Sequence, residues 1–368
     1  MTKQPCLPDL LPLETLNWRE LLPLAGKANA ALARYDGMLR TLPNPAVLLS
    51  PMTTKEAVLS SRIEGTQATF DEVLEYDAGM EGDESRRGDW VEISNYRSAI
   101  RIVTGELGRR ELSLSLIKEA HQRLLQGARG QYKDPGSFRT EQNWIGKAGD
   151  RIESARFIPP SPIIMHDRLE NWEKYINLSS EDSVLQTLIA HAQFEIIHPF
   201  KDGNGRIGRM LIPLILHKNG LISSPVFYLS EYLEEHRDEY YDRLLSITET
   251  RDWHGWLVFS INALISQAER NLDKTKKLRA LYEIMTERFV DITHSQFVYG
   301  AVDAFFKYPI IDGSKFANEA KFNNKMTANL FLKQIEEAGL IGKVRNSKGR
   351  KPAIYAMKSL IAIVEGKI

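Results

Sequence analysis

The most constraining feature of this 368-residue chain is a short polar loop between two apolar helices. The spacing of apolar residues predicts one helix over Ser183 to Ile197 and a second that starts at about Gly205 or Arg206 and ends at Gly220. The loop between them reads HPFKDGNG, and the glycines on either side of Asn204 let its backbone take positive φ angles. Successive N–H groups can then face one concavity, where the positive end of the second helix also attracts an anion. The loop therefore predicts a phosphate-binding site.

The side chains around this loop suit a nucleoside triphosphate held together with a metal ion. Asp202 offers the oxygen ligands that Mg²⁺ prefers. Arg206 and Arg209 are three residues apart on the first helical turn, where their planar guanidinium groups can reach phosphate oxygens. His198 ends the preceding helix, and an imidazole that titrates near neutrality can accept a proton from an attacking hydroxyl. The residue types thus favour chemistry on a nucleotide phosphate.

The segment HPFKDGNGRIGR, from His198 to Arg209, resembles the full Fic (filamentation induced by cAMP) motif, HPFx(D/E)GN(G/K)RxxR, at every defined position. The resemblance implies a protein adenylyltransferase that moves AMP from ATP to a Ser, Thr or Tyr hydroxyl of a target protein, and releases pyrophosphate. In that reaction His198 deprotonates the hydroxyl, Phe200 anchors the loop in the core and Asp202 holds Mg²⁺. The implied ATP site comprises Glu64, Gly203, Asn204, Gly205, Arg206, Ile207, Gly208, Arg209, Tyr240 and Tyr241.

Several details of that site stay open in the sequence. Gly205 stands where the phosphorylating Doc relatives have a lysine, which favours AMP transfer, although UMP or phosphocholine donors remain alternatives. Tyr240 and Tyr241 resemble tyrosines of the adenosine pocket; core packing explains at least one of them, and Tyr241 is the preferred pocket residue. His191 is either a support for His198 or, as we expect, a hydrogen-bonded core histidine.

An earlier helix, predicted over Thr53 to Ile63, ends in SSRIEG, and we call Ser60 to Gly65 the inhibitory segment. Ser60 and Glu64 are four residues apart and so face the same side, which by itself would also fit an ordinary surface helix terminus. Together with Gly65 they resemble the pattern (S/T)xxxE(G/N) of Fic proteins that inhibit themselves through an N-terminal helix (class II). The resemblance implies a bidentate pair between Glu64 and Arg209 that occupies the place of the γ-phosphate. It also implies a possible reverse reaction, removal of AMP, with Glu64 positioning a water.

Glycine, proline and aromatic residues interrupt helical periodicity from Gly127 to Pro162 and predict loops with a short hairpin. The hairpin resembles the flap with which Fic proteins align the backbone of a target by strand addition. Its two sides would be 135–146 and 156–162, with a tip at Gly149 to Ile152. Aromatic side chains in it are expected to pack in the core rather than to contact substrate: Phe138, Trp144 and Phe157.

The remaining periodicity predicts a mainly α-helical fold in three domains. These are a helical region with the inhibitory helix (1–90), a Fic-type core with the hairpin flap (91–275) and a winged-helix module (276–368). In the last module, three helices within Ser295 to Ala338 precede two strands on either side of the basic turn SKGRKP.

Charge and composition limit the partners. Lysine plus arginine and aspartate plus glutamate both number 48, so no overall field attracts nucleic acid or a membrane, and any such affinity must be local. One local basic patch lies between Glu337 and Glu365; its members are Lys343, Arg345, Lys348, Arg350, Lys351 and Lys358. It is compatible with DNA contact, with protein contact or with a solvated face.

No apolar run is long enough to span a bilayer or to serve as a secretion signal, and the single cysteine, Cys6, excludes an internal disulfide. We therefore expect a cytoplasmic protein without a membrane partner. Homodimerisation would offer a route to relieving Glu64, and self-modification is a further possibility.

Two hypotheses follow. The first is an autoinhibited protein adenylyltransferase. The second is a DNA-binding transcriptional regulator that uses the Fic domain only to sense ATP. His198 favours the first, because sensing needs no base.

Overall fold

A computed structural model describes residues 4–146, 149, 151–349 and 351–368. The first ten α-helices are α1 (Trp18–Leu39), α2 (Pro45–Leu48), α3 (Ser50–Ile63), α4 (Phe70–Asp77), α5 (Arg87–Glu106), α6 (Leu114–Leu125), α7 (Pro162–Asn177), α8 (Ser183–Ile197), α9 (Asn204–Lys218) and α10 (Ser230–Glu235). The others are α11 (Arg237–Thr250), α12 (Trp253–Thr293), α13 (Val298–Lys307), α14 (Gly313–Glu319), α15 (Lys325–Glu337) and α16 (Lys358–Glu365). Three short strands complete the described chain: β1 (Ile310–Asp312), β2 (Gly342–Arg345) and β3 (Ile354–Ala356).

The predicted mainly helical class is confirmed, and the two helices around the polar loop lie where the apolar spacing places them. Helix α8 has the predicted bounds, and α9 starts at Asn204, one or two residues before the predicted start. Helix α4 was not predicted, although its first residues carry a capping box in which the side chains of Thr69 and Glu72 each bind the other's backbone N–H.

The chain divides into two compact units. The first contains the residues up to Asp36, Leu59–Thr66 and Val91–Glu269, and the second contains Gly37–Val58, Gln67–Trp90 and Arg270–Ile368. The inhibitory segment and the predicted motif both belong to the first unit. The predicted division into three domains stays a prediction.

Helix α8 is the centre of the first unit. It packs mainly against α9 and α7, and it is apolar on all sides, as expected of a helix that is buried all round. Large aromatic side chains fill the space around it, among them Trp172 and Phe194, whose rings lie 5.6 Å apart between centroids. The indole N–H of Trp172 donates to the carbonyl of Ala190 at 2.8 Å, so this buried polar group is satisfied.

The second unit contains the three predicted C-terminal helices, now α13 to α15, and a three-stranded antiparallel sheet of order β1-β3-β2. Sequence analysis missed β1 and α16, the former because three residues are too short for a periodicity signal. Rings of Phe289, Phe305, Phe316 and Phe331 form its aromatic core. The winged-helix assignment of this module stays a prediction.

Several helix boundaries differ from the predicted ones; α3, for example, starts at Ser50 rather than at Thr53. Helix α12 runs for 41 residues through the boundary predicted after Thr275, where no glycine or proline interrupts the chain. Residues 230–248, whose apolar spacing predicts a single helix, instead form α10 and α11, which are divided at His236. Among the described residues, no helix has the length and apolar character needed to cross a membrane.

Candidate active site

The polar loop is shaped by two left-handed residues and one asparagine. His198 caps the end of α8 at φ 49°, and Gly203 precedes α9 at φ 79°. The Asn204 carboxamide accepts a hydrogen bond from the Phe200 N–H and donates one to the Phe200 carbonyl, both at 2.8 Å. Phe200 itself is fully buried, as predicted for the residue that anchors the loop. The loop is therefore closed by its own side chains.

His121 on α6 holds the loop through contacts with Asp202 and Phe200, and it was not predicted from the sequence. Its Nδ1 accepts from the Gly136 N–H at 2.9 Å, so the proton sits on Nε2, which donates to the Asp202 carbonyl at 2.9 Å. The imidazole also stacks on the Phe200 ring with 3.7 Å between centroids. Burial lowers the pKa of His121 to about 4, so this side chain is neutral and positions Asp202 through hydrogen bonds alone.

Arg139, another residue missed in the sequence, holds the end of α8. Its side chain is fully buried and donates to the carbonyls of His198 at 2.9 Å and Pro160 at 2.5 Å. A cation at the C-terminal end of a helix satisfies carbonyls that have no partner within the helix. Arg139 thus fixes the position at which α8 stops and His198 begins.

Arg206 lies between two carboxylates. Its Nη2 donates to Asp202 Oδ1 at 2.8 Å, and its Nη1 lies 2.8 Å from Glu92 Oε1 on α5. Glu92 is 1% exposed and also accepts from the Thr66 hydroxyl at 3.1 Å. Since a buried guanidinium needs charge partners, Glu92 is the residue that lets Arg206 be buried. Nothing in the sequence near Glu92 marked it for this role.

Asp202 fits the ion expected there. Its side chain is 36% exposed, and the described residues contain no cluster of three or more His, Cys, Asp or Glu side chains that could hold a metal ion by themselves. Mg²⁺ in nucleotide sites commonly takes one or two carboxylates together with substrate phosphates. A single accessible carboxylate beside an anion-binding loop matches that donor set.

Arg209 connects α9 to the inhibitory segment. Its Nε donates to the Ser60 hydroxyl at 2.9 Å, and its Nη2 donates to the Ser60 carbonyl at 2.8 Å and to Glu64 Oε1 at 2.7 Å. Although burial of Glu64 opposes ionisation, the Arg209 guanidinium holds the pKa of that carboxyl below its usual value. The predicted pair exists, but Ser60 takes Nε and the pair is not bidentate. Among the described residues, Nη1 of Arg209 has no hydrogen-bond partner.

A cavity of about 720 Å³ opens beside these groups. Its walls include Glu64, His198, Gly205, Trp144, Phe157 and Tyr241. Of the aromatic residues predicted to pack, Phe138 lies against the Phe200 ring at 5.2 Å between centroids, whereas Trp144 and Phe157 face the cavity. The volume is in the range of small-molecule sites, which are usually 300–1,000 Å³ in order of magnitude, about right for a nucleotide.

His198 presents a free acceptor to this cavity. Its Nδ1 lies 3.3 Å from the carbonyl of Glu195, and because a carbonyl only accepts, Nδ1 carries the proton and Nε2 keeps its lone pair. Burial lowers the pKa of His198 to about 4, so the imidazole is neutral at physiological pH. The side chain can therefore take a proton from a hydroxyl placed in the cavity.

The two tyrosines of α11 have different environments. Tyr240 is fully buried, and its hydroxyl lies 3.1 Å from His191 Nε2, while His191 Nδ1 lies 2.9 Å from the Gly208 carbonyl. Burial lowers the pKa of His191 to about 3, which keeps it neutral. Tyr241 instead lines the cavity. The structure thus places Tyr240 in the core and Tyr241 at the site, and it places His191 behind α9, away from a contact with His198.

Glu195 on α8 is a carboxyl that the sequence analysis overlooked. It lines the cavity and lies against Gly208, where an added Cβ would be 2.1 Å from Glu195 Oε1. Burial, with the Glu64 carboxylate adding to it and Arg209 opposing it, raises the pKa of Glu195 to about 8. The available signal was its position three residues before His198 in an otherwise apolar helix, where a carboxyl is rare.

The predicted hairpin is smaller than a pair of strands. Ile145 and Phe157 form one antiparallel bridge, with N–H···O distances of 2.8 and 3.1 Å in the two directions. Of the predicted tip, Asp150 lies outside the described residues, and Ile152 starts a 3₁₀ turn that ends at Ser154. The bridge still places Trp144 and Phe157 on the cavity wall.

Two family descriptions match the chain: "Fic/DOC family N-terminal" over residues 22–104 and "Fic/DOC family" over residues 111–216. Together they cover just over half of the sequence. The first match contains the inhibitory segment, and the second contains the loop from His198 to Arg209.

Curated relatives carry adenylyltransferase names. "Probable protein adenylyltransferase aq_aa38" of Aquifex aeolicus is 33% identical over 121 residues, which are 28% of this chain and 37% of that protein. "Protein adenylyltransferase fic-1" of Caenorhabditis elegans is 34% identical over 130 residues, which are 33% of this chain and 23% of that protein. The chain thus spans well under half of the length of these relatives.

Solved structures share the fold. A Fic family protein from Desulfovibrio desulfuricans G20 superposes with a TM-score of 0.59 at 18% identity, covering 96% of this chain and 98% of that one. Fic-1 from C. elegans gives a TM-score of 0.54 at 21% identity, covering 70% of this chain and 73% of that one. With both characteristic segments inside the two family matches and the fold shared along nearly its whole length, the chain belongs to the Fic/DOC family.

Proposed function

We propose that this protein is an adenylyltransferase that transfers AMP from ATP to a hydroxyl side chain of a target protein and is restrained by Glu64. The observation that carries the proposal is the neutral His198, which keeps a lone pair on Nε2 and lines the same cavity as Gly205 of the anion-binding loop. A site that only sensed ATP would need no base at that position. The adenylyltransferase names of the relatives agree with this reaction.

The reaction needs one proton transfer and one displacement. The target hydroxyl gives its proton to His198 Nε2 while its oxygen forms a bond to the α-phosphorus, and the bond from that phosphorus to the β-phosphate bridge breaks to release pyrophosphate. Backbone N–H groups from Gly203 to Gly205 and the positive end of α9 stabilise the phosphate charge. Mg²⁺ held by Asp202 would supply further neutralisation of the phosphates.

Arg206 and Arg209 have separate roles in this proposal. Arg206 is fixed by Glu92 and Asp202 and would contact the phosphates beside the carboxylate that would hold Mg²⁺. Arg209 holds the γ-phosphate, but it is engaged by Ser60 and Glu64 in this structure. Inhibition follows, because ATP must compete with the Glu64 carboxylate for the same buried guanidinium. Glu64 would also position a water for the reverse reaction, removal of AMP.

The remaining roles follow from the cavity. Tyr241 is placed to contact the adenosine, whereas Tyr240 acts through His191 and the backbone of Gly208. Ile207 lies in the core of α9, with 1% exposure, and supports the site from within. A target segment would add to the edge near the bridge between Ile145 and Phe157.

Partners beyond a target protein stay predictions, including a homodimer, self-modification and a cytoplasmic location. The basic patch of the second unit is partly neutralised: Lys343 pairs with Glu336 at 2.9 Å and Lys351 pairs with Glu81, while Arg350 lies outside the described residues. Paired lysines have less charge to offer to DNA phosphates. The DNA-binding regulator is therefore the weaker hypothesis.

The test is transfer of label from ATP labelled at the α-phosphate, with ATP labelled at the γ-phosphate as the control for phosphorylation. Wild type, Glu64→Gly and His198→Ala are incubated with Mg²⁺, and Glu64→Gly combined with His254→Ala is the matched control, because that histidine lies on α12, outside the cavity. We expect strong α-label in Glu64→Gly and in its combination with His254→Ala, weak label in wild type, and none in His198→Ala or from γ-labelled ATP. Equal labelling of His198→Ala and wild type would refute the role of the base.

A further inference from the structure

Glu195 is a polar group at the cavity that no step of the proposed reaction uses. It is the third residue before His198, which directly follows α8, and both residues line the cavity. Its Oε1 is buried and, among the described residues, has no hydrogen-bond partner. A buried polar atom without a partner is uncommon in folded proteins and asks for an explanation.

The neighbouring helix is shaped to receive this carboxyl. At Gly208, on α9, an added Cβ would lie 2.1 Å from Glu195 Oε1 and 2.9 Å from its carboxyl carbon. A residue with any side chain would thus force the carboxyl to move. The next residue, Arg209, has a buried Nη1 that also lacks a partner among the described residues. Two polar groups without partners therefore lie at the same turn of α9, and one of them belongs to Glu195, which also lines the cavity.

We propose that Glu195 contacts the bound nucleotide as an uncharged carboxyl group that donates a hydrogen bond to a phosphate oxygen, with Gly208 providing the space for it. A protonated carboxyl has one O–H donor, which suits a phosphate oxygen, whereas a carboxylate has only acceptors and repels the phosphate. This inference rests on the proposed nucleotide site and adds a contact to it. Its consequence is that nucleotide affinity depends on the protonation of one residue.

The surroundings favour the neutral form at physiological pH. Burial and the Glu64 carboxylate raise the pKa of Glu195 to about 8, against the attraction of Arg209. Other charged or titratable groups at the cavity are His198 just after α8, Arg156 next to the bridge residue Phe157, and Arg237, Asp238 and Tyr241 on α11. Helix α7, which also packs on α8, contributes none of the described cavity residues.

The neighbours with displaced pKa values titrate far from this range. The pKa of His198 is lowered to about 4, mainly by burial, and that of Tyr241 is raised to about 12, again mainly by burial. Neither changes its charge between pH 7 and pH 9. A carboxyl with a pKa near 8 loses most of its neutral form over that interval, so affinity through it falls on the order of tenfold.

The experiment measures binding rather than transfer. The dissociation constant of α,β-methylene-ATP with Mg²⁺ is determined by calorimetry at pH 7, 8 and 9 for full-length wild type, Glu195→Gln and Glu195→Leu. Gln keeps an N–H donor and cannot ionise, while Leu has a similar size and cannot donate. We expect the wild-type constant to rise about tenfold from pH 7 to pH 9, the Gln variant to stay near the wild-type value of pH 7, and the Leu variant to bind weakly at every pH.

Other results would overturn the inference. One is a wild-type dissociation constant that does not change with pH. Another is a Gln variant whose dissociation constant depends on pH as strongly as that of wild type. A third is a Leu variant that binds as well as wild type at pH 7. The labelling assay separates this inference from the proposed function. Labelling without the pH pattern refutes only the role of Glu195, and the pH pattern without labelling refutes only the adenylyltransferase.

Discussion

Gly205 leaves open the space in which Glu64 places its carboxylate, because a Cβ on Gly205 would lie 2.1 Å from Glu64 Oε1. The two residues are far apart in sequence, yet the inhibitory contact depends on both. Gly205 has been explained above by its backbone N–H in the phosphate loop. Its missing side chain has this second use, and the two uses can be separated by mutation.

Gly205→Ala is expected to raise basal AMP transfer. The position is helical and has a negative φ, so alanine fits the backbone, but its methyl group displaces the Glu64 carboxylate. Labelling from α-labelled ATP should increase roughly tenfold or more, in line with the loss of one charge-assisted hydrogen bond of about 1.5–3 kcal/mol. The double variant with Glu64→Gly should be no more active than Glu64→Gly alone. Labelling at or below the wild-type level would show that the methyl group blocks the nucleotide rather than Glu64.

Glu92→Gln is expected to weaken both folding and ATP binding. It removes the buried negative charge beside Arg206 and leaves that guanidinium with the half-exposed Asp202 alone, and breaking a buried ion pair costs up to about 3–5 kcal/mol. The freed guanidinium would then turn fully toward Asp202, so the KM for ATP should rise. The measurements are the thermal unfolding midpoint and the KM in the Glu64→Gly background. Glu106→Gln, which removes a half-exposed acid at the end of the same helix, is the control and should change neither. A Glu92→Gln variant with a normal midpoint and KM would contradict the proposed support of Arg206.

The effect of Gly208→Ala on stability should have opposite signs in the wild-type and Glu195→Ala backgrounds. In a helix, alanine is more favourable than glycine by about 1 kcal/mol. In wild type we expect destabilisation instead, because the methyl group meets Glu195 Oε1 at 2.1 Å. In a Glu195→Ala background that obstacle is absent, and Gly208→Ala should stabilise the protein. Urea unfolding of the four variants gives the coupling. The same sign in both backgrounds would show that Gly208 accommodates something other than Glu195.

In the unliganded protein, the effect of Glu195→Gln on stability should become more favourable as the pH rises. The folded-state pKa of Glu195 is raised to about 8 from 4.5, so between these values the folded state binds more protons than the unfolded state. Stability from this group is complete below about pH 4.5 and falls as pH rises toward 8. The variant lacks that fall, so its unfolding midpoint relative to wild type should increase from pH 5 to pH 8 by roughly a few degrees. A difference that is constant with pH would mean that Glu195 is ionised in the folded protein.

The loop was predictable because its signal is local. A turn is determined by two glycines and an asparagine in the short stretch between two apolar helices. The structure confirms both helices and the left-handed Gly203. The inhibitory segment was also recognisable, from its resemblance to the (S/T)xxxE(G/N) pattern, and Glu64 does reach Arg209. The bidentate geometry was wrong because Ser60 competes for Nε, which spacing within one helix cannot reveal.

The residues that support the loop could not be predicted, because they are distant from it in the sequence. Glu92, His121 and Arg139 act on the loop from positions more than fifty residues away in the chain. Each is an ordinary residue type in an ordinary local pattern, and only packing shows what it binds. Glu195 is intermediate, since a carboxyl inside an apolar helix was visible, but its position against Gly208 was not.

The carboxamide of Asn204 favours tight binding of an anion. Because it bonds both the N–H and the carbonyl of Phe200, the loop is already ordered through the protein's own atoms before any anion arrives. A loop that is rigid in advance loses little conformational entropy when a ligand enters, so more of the interaction energy is left as affinity. The phosphate concavity is in this sense a preformed receptor, and the moving part of the site is the Glu64 side chain that must leave it.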